Sequence, residues 1–418
     1  MNGVTRREFL KLAGTAAGFA GLESLLAGCQ VAGQVGGPGP QPPQEIPMLG
    51  IWPFTGAFAD VGPVLDRGMS LALEEWGYKV IGRPIKYVKR DSETKADAAT
   101  RRVEEAVETE SVKYVIGPWS SGVALAVSEV AKRRKVLHFF SGGTEDISGK
   151  RCHRYSFQWA AHAYTAADTV MKTFLRENPG AKRWYLLIAD YAFGWSLEKY
   201  LKLVGEKYGV TVLGADRHPL GEREFSGYVS KAVSARPDVV AMVNFGQDAI
   251  QAVRTFYNFG WQPKQPLIMA WSAGVEELVQ LEPEMRENVW VGTNFYYTLD
   301  TPVAREFVKR YREKYGEPPG YAPAAAYGMT RLVLRGIEKA KSAEVPDVIQ
   351  ALEGWEGEDL LGKMRIDPKT HQTLRPYFFL KCKKKSDMKD QWDFADIIGT
   401  GDTPQPAELN ECADIGSL

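Results

Sequence analysis

Two successive rounds of strand–helix alternation constrain this chain more than any other feature. "MLGIWPF" (48–54), "PIKYVKRD" (84–91), "KYVIGP" (113–118) and "VLHFFS" (136–141) read as strands. Between them, stretches 64–78, 95–110 and 122–135 carry apolar residues at helical spacing, as in Leu65, Met69, Ala72, Leu73 and Trp76. The pattern restarts at "RWYLLIAD" (183–190), with strands at 210–216, 238–245, 266–272 and 289–295 and helices over 194–209, 225–236 and 248–260. A third block predicts helices over 302–315, 324–341 and 345–354, then two hairpin-like runs, "GKMRIDPKTHQTL" and "RPYFFLKCKKK". Alternation of this kind predicts an α/β fold of two Rossmann-like lobes, each a mainly parallel sheet covered by helices on both faces. A ligand cleft is then expected between the lobes, at the carboxyl ends of the strands.

The first 29 residues stand apart from this pattern. Arg6 and Arg7 precede Glu8-Phe9-Leu10-Lys11, and a mostly apolar stretch runs on to Leu26. A charged start, a short apolar middle and a small-residue end make a secretory signal. The Arg-Arg-x-Phe-Leu-Lys pattern resembles the twin-arginine signal, whose translocase carries folded proteins. Leu26-Ala27-Gly28-Cys29 resembles a lipobox, in which Cys29 is lipidated and becomes the new N-terminus. Lys11 and Glu23 interrupt the segment, which argues against a spanning helix of about 20 apolar residues. Residues 30–46, rich in Gly, Pro and Gln, read as a flexible tether. The expected product is a lipoprotein anchored at a periplasmic or extracellular membrane face.

Composition narrows the partners. The 52 basic and 52 acidic residues balance, so no basic excess points to nucleic acid. Three cysteines remain in the body, Cys152, Cys382 and Cys412. An oxidising compartment permits one disulfide among them, and the spacing leaves the pairing open. Neither a phosphate-binding G-x-x-x-x-G-K-[ST] nor a dinucleotide fingerprint occurs, so no cofactor is expected. His138, His153, His162, His218 and His371 lack the i, i+4 spacing of a helical metal site, so no metal is expected either. His153 and His162 read as surface or cleft residues. "GPWSSG" is not a nucleophile elbow, and an exported hydrolase using Ser121 and His162 would lack an orienting acid.

The sharpest local signals lie at two successive strand ends. "GPWSSG" (117–122) places Ser120 and Ser121 before a helix, and "SGGTEDIS" (141–148) places Gly142, Gly143 and Thr144 at another expected helix start. Backbone N–H groups and hydroxyls at a helix N-terminus suit a carboxylate, although capping is the commonest task of Ser and Thr there. Trp119, Tyr191, Phe193, Phe245 and Trp271 follow or end strands at the same predicted edge. Singly each reads as core, and as a group they read as cleft walls.

These segments carry a family resemblance. From about residue 46 to 385 the chain resembles the solute-binding proteins of branched-chain amino acid ABC transporters, the leucine/isoleucine/valine-binding type. The resemblance rests on "PFTGAFADVGPVLDRGMSLALEEW", on the run from "DSETKADAATRR" through "HFFSGGTEDIS", on "ADYAFGWSLEKYLK" and on "YGEPPGYAPAAAYGMTRLV". It implies a type I periplasmic-binding fold with three inter-lobe crossovers, no catalysis, a monomer, and delivery of a small-molecule ligand to an ABC permease. Lobe I is then expected over 47–162 and 294–370, and lobe II over 163–293 and 371–418. By motif position the family's carboxylate-binding groups match Ser121, Gly142 and Thr144, and its second-lobe aromatics match Phe193 and Phe245. The sequence departs from the family where an amino-acid binder places acids for the ligand ammonium. The aligned positions hold His162 or Ala163 at the first crossover and Trp271 or Ser272 in the second lobe, with Asp60 and Asp190 the remaining acceptors. A buried unpaired ammonium is costly, so a small aromatic or aliphatic carboxylate without an ammonium is expected ahead of an amino acid. A sensor presenting the solute to a membrane signalling partner is the alternative.

Overall fold

The computed structural model describes residues 44–418. The signal, the Cys29 anchor and almost all of the tether lie outside the described residues. The first sheet holds β1 (Ile46–Trp52), β2 (Lys79–Val80), β3 (Arg83–Asp91), β4 (Tyr114–Ile116), β5 (Leu137–Phe140) and β6 (Ser156–Gln158), in the order β2-β3-β1-β4-β5-β6. All its pairings are parallel except β2 with β3. Helices α1 (Gly62–Glu75), α2 (Ala96–Glu110) and α3 (Ser121–Arg134) connect these strands.

The chain then crosses to a second lobe through α4 (Ala163–Glu177). There β7 (Arg183–Ala189), α5 (Ala192–Lys207), β8 (Thr211–His218), α6 (Ser226–Ser234), β9 (Val239–Val243), α7 (Gln247–Asn258), β10 (Leu267–Ser272), short α8 (Val275–Leu278) and α9 (Pro283–Arg286), and β11 (Val289–Thr293) follow. It returns to the first lobe as α10 (Pro302–Tyr315), α11 (Tyr321–Ala340), α12 (Val345–Leu352) and a small antiparallel sheet, β12 (Glu356–Asp359), β13 (Gly362–Ile366) and β14 (Thr373–Leu374). A third crossing at Arg375–Pro376 leads to β15 (Tyr377–Cys382) and β16 (Ala395–Gly401), which close the second sheet as β16-β15-β11-β10-β9-β7-β8.

Burial follows position in the sheets. All five residues of β9, "VVAMV", are buried, as a central strand covered on both faces requires. Edge strand β8 alternates exposed and half-buried positions instead. Each fully buried Val, Ile or Leu contributes about 1.5–3 kcal/mol of transfer free energy.

Three local features differ from the sequence expectation. "SGGTEDIS" does not open a helix: the chain runs through turns from Ser141 to Arg151, because the stretch has glycines but no apolar helical period. Helix α4, which the sequence reading passes over as a crossover, carries small and polar residues on a face buried against lobe II. "RPYFFLKCKKK" is one strand and not a hairpin, because β15 pairs with β11 on one side and the later β16 on the other.

Cys152 and Cys412 form the disulfide, and Cys382 is a buried free thiol whose pKa burial pushes up to about 12. The bond joins the β5–β6 loop of the first lobe to the segment after β16 of the second. The Cys152→Ser/Cys412→Ser double variant is expected to lose about 2–5 kcal/mol in urea denaturation. An unchanged midpoint and slope would show that the staple adds nothing to the folded state.

Candidate ligand-binding site

The parallel strands of both sheets end on a common cleft. From the first lobe, Phe58 follows β1, Trp119 and Ser121 follow β4, and Ser141, Gly142 and Gly143 follow β5. From the second, Tyr191 and Phe193 follow β7, Phe245 follows β9, and Trp271 ends β10. Tyr321, the first residue of α11, completes the wall. The rings meet across the lobes: Phe58 lies 6.0 Å from Phe245 edge-on, Trp119 lies 5.5 Å from Phe245, and Phe58 lies 6.4 Å from Tyr191. The cavity between them is about 20 Å³, little more than a water requires. A ring-bearing ligand therefore enters only when these walls move apart.

Of the residues expected at the site, Trp119, Ser121, Gly142, Gly143, Phe193, Phe245 and Trp271 line this cleft together. Ser120, Thr144 and His162 do not. Ser120 occupies the N-cap of α3 without a side-chain cap bond, and its carbonyl accepts from Ala124 N at 2.8 Å. Thr144 is fully buried, and its hydroxyl accepts from Asp146 N at 3.3 Å in the local turn. His162 and His153, expected at the surface or cleft, are both buried. His162 caps α4, Nδ1 accepting from Tyr164 N at 3.0 Å, and faces a different cavity behind the first crossing. Ser121 and His162 thus share no pocket in which a nucleophile and base could meet.

The glycines are there for space. A Cβ on Gly143 would overlap the Phe193 ring, and one on Gly142 would overlap Phe140 and come 3.1 Å from Ser121 Oγ. Among the described residues the hydroxyls of Ser121 and Tyr191 make no hydrogen bond, so both remain available to a ligand. Ser141 is already engaged, at 2.7 Å from the Tyr321 hydroxyl.

Among the described residues no charged side chain lines the cleft. The nearest acids are built into its rim. Glu277 accepts from Ser272 Oγ at 2.5 Å and Ala273 N at 3.2 Å with one oxygen, and from Gly246 N at 2.5 Å with the other. It thereby ties the ends of β9 and β10 together and fixes Phe245 and Trp271. Glu276 accepts from Gly320 N across the lobes at 3.1 Å, beside the Tyr321 N–H that donates to Ala273 O at 2.9 Å. Asp60 takes a hydrogen bond from Gln247, and Asp190 from Trp195 Nε1. The sequence reading missed Phe58, Ser141, Tyr321 and these two glutamates. Only the position of Glu276-Glu277 just past a strand end hinted at them.

Two α/β lobes meeting on an aromatic and hydroxyl-lined cleft define a two-lobed solute-binding protein. The chain belongs to the periplasmic binding protein family, which residues 45–387 match. It is similar to an amino acid ABC transporter substrate-binding protein from Pseudomonas fluorescens Pf-5, with 32% identity and a TM-score of 0.85 over 89% of this chain and 100% of that one. A Leu/Ile/Val-binding protein homolog 7 of Brucella abortus is 25% identical over 85% of this chain and 88% of its own length. A solute-binding protein of an ABC transporter from Rhodopseudomonas palustris BisB5, solved with 3,4-dihydroxy benzoic acid, shares the fold at 21% identity. Its TM-score is 0.77, over 87% of this chain and 99% of that one.

Burial pushes the Glu276 carboxyl up to about 8, and the neighbouring Glu277 adds to the effect. The folded chain then holds a proton that the unfolded chain releases near 4.5, so this group makes stability fall as pH rises from 4.5 to about 8. Denaturation midpoints measured across that range should decline with pH in the wild type and less steeply in Glu276→Gln. An identical slope in the variant would remove Glu276 as the source.

Proposed function

We propose that this protein is the solute-binding lipoprotein of an ABC importer and that its ligand is a small aromatic carboxylate without an ammonium group. The observation that carries the reading is the cleft itself: packed rings, free hydroxyls and, among the described residues, no charged side chain. An amino acid would bring an ammonium to a wall whose adjacent acid, Glu277, already spends its oxygens on Ser272, Ala273 and Gly246. A buried cation without an acceptor is costly. A carboxylate needs only donors, which Ser121, Tyr191 and the backbone around Gly142 and Gly143 offer. The aromatic acid held by the Rhodopseudomonas palustris relative supports the same chemistry.

Ligand entry then requires hinge motion about the three crossings; the third falls at Arg375–Pro376 and not at the expected 370/371 break, so the moving bodies are 47–162 with 294–374 and 163–293 with 377–418. The permease reads the closed form. Arg6, Arg7 and Cys29 supply export and anchoring in this reading, which keeps the receptor beside its permease.

Titration followed by tryptophan fluorescence tests the ligand class, since Trp119 and Trp271 both face the cleft. Benzoate or a hydroxybenzoate should bind more tightly than leucine, and Ser121→Ala should weaken benzoate by roughly tenfold, the loss of one hydrogen bond to a charged group. Tighter leucine binding would return the protein to the amino-acid class. Separately, Cys29→Ser should move the protein from the membrane to the soluble fraction, and continued membrane association would exclude lipidation as the anchor.

A further inference from the structure

A much larger cavity than the cleft, about 320 Å³, lies behind the first crossing. Its walls come from four parts of the chain, one of them the β5–β6 loop with Ser148. The small sheet and its turn contribute Arg365, Asp367, Lys369 and Thr370, the crossing contributes His162, and the segment after β16 contributes Gln405 and Asn410.

The polar groups here are not all spent. His162 is 4% exposed, and its Nδ1 accepts from Tyr164 N. That nitrogen is therefore unprotonated, and the neutral ring carries its proton on Nε2. Burial, with the nearby Lys199 charge, lowers the pKa to about 3, so the ring stays neutral. Among the described residues the Nε2–H has no acceptor, in a ring that lines the cavity at the N-terminus of the 15-residue α4. A helix N-terminus adds a favourable potential for negative charge. Arg365 and Lys369 line the same cavity and make no ion pair among the described residues. Asp367 also faces the cavity, but one of its oxygens accepts from Lys369 N at 2.8 Å in a local turn.

The roof is held in place. Gln405 Nε2 donates to the Tyr200 hydroxyl at 2.7 Å, and the Tyr200 ring packs edge-on against His162 at 5.3 Å. Thr165 of α4 donates to Thr403 O at 2.7 Å, and the Cys152–Cys412 disulfide ties the end of the segment to the first lobe.

We propose that this cavity is a second binding site, for a small dicarboxylate, with one carboxylate at the His162 N–H and the α4 N-terminus and the other at Arg365 and Lys369. A dianion matches two donor sets that line one cavity from different parts of the chain, because a single oxyanion would leave one set unused. The site joins the first crossing, the small sheet and the C-terminal segment. The second site does not depend on the aromatic-acid reading, since none of its residues lines the cleft.

Thermal unfolding of the full chain with succinate, inorganic phosphate or sodium chloride at matched ionic strength tests it. Succinate should raise the midpoint saturably beyond the chloride control. The Arg365→Gln/Lys369→Gln variant, altered only at exposed positions, should need at least roughly tenfold more succinate. The same variant should bind benzoate as the wild type does. No saturable shift, or a shift unchanged in the variant, overturns the site. A shift with phosphate and none with succinate overturns the dicarboxylate assignment.

Discussion

The hydrogen bonds of Glu277 are the constraint on which the cleft depends. A carboxyl group taken out of water is expensive unless its oxygens are satisfied. Here one side chain accepts from Gly246 N, Ser272 Oγ and Ala273 N, at the ends of two adjacent strands. Those bonds fix the turns that carry Phe245 and Trp271, so the geometry of the second-lobe wall follows from the satisfaction of one buried acid. Its neighbour Glu276 points to the other lobe and meets Gly320, where any Cβ would overlap the carboxylate. Adjacent residues in one short helix thus serve separate tasks, one within a lobe and one between lobes.

This arrangement also determines what the cleft can select. Acids near a binding site ordinarily attract cations, but burial raises the pKa of both, Glu277 accepts from Ser272, Ala273 and Gly246, and Glu276 accepts from Gly320 with one oxygen while the other has no partner among the described residues. What remains at the wall is aromatic surface with a few free hydroxyls. Such a wall rewards planar apolar area through ring contacts, worth about 0.5–1.5 kcal/mol per well-placed pair beyond burial. In the proposed reading it would read negative charge only through hydrogen bonds, and discrimination against an ammonium would come from the lack of a charged partner in the cleft rather than from repulsion.

The architecture is legible in the sequence because it rests on period and repetition. Continuous apolar runs such as "VVAMV" and "YLLIA" announce buried parallel strands, and parallel strands place their carboxyl ends together, which locates seven of the ten expected site residues in one cleft. The placement of the others outside the cleft has a physical reason. The resemblance aligns His162 or Ala163 with a position where a binding acid is expected, and the His162 ring turns back to cap α4 and faces away from the cleft. Thr144 is expected at a helix start that the glycine-rich loop does not form. Phe58 and Tyr321 reach the cleft from a loop and a helix with no strand-end signal. The Cys152–Cys412 pairing depends on a C-terminal segment that crosses back to the first lobe, which no local pattern encodes.

That returning segment changes how the two lobes are joined. Three covalent crossings near the base would leave the lobes free to rotate about a short hinge. The chain after β16 adds a fourth tie, through the disulfide and through Arg154 N, which donates to Ile415 O at 2.9 Å. Lys199 of the second lobe reaches both Glu145 of the first and Glu411 of the segment, each at 3.3 Å. The Lys199–Glu411 pair is exposed, and such a pair contributes little singly, whereas Glu145 is buried, so opening costs more at that pair while the covalent tie persists. The lobes are therefore permitted to separate at the aromatic walls but are restrained on the side of His162. An opening motion with one side fixed is a hinge rather than a translation, and it exposes the Ser121 and Gly143 wall while leaving the chamber behind the first crossing roofed.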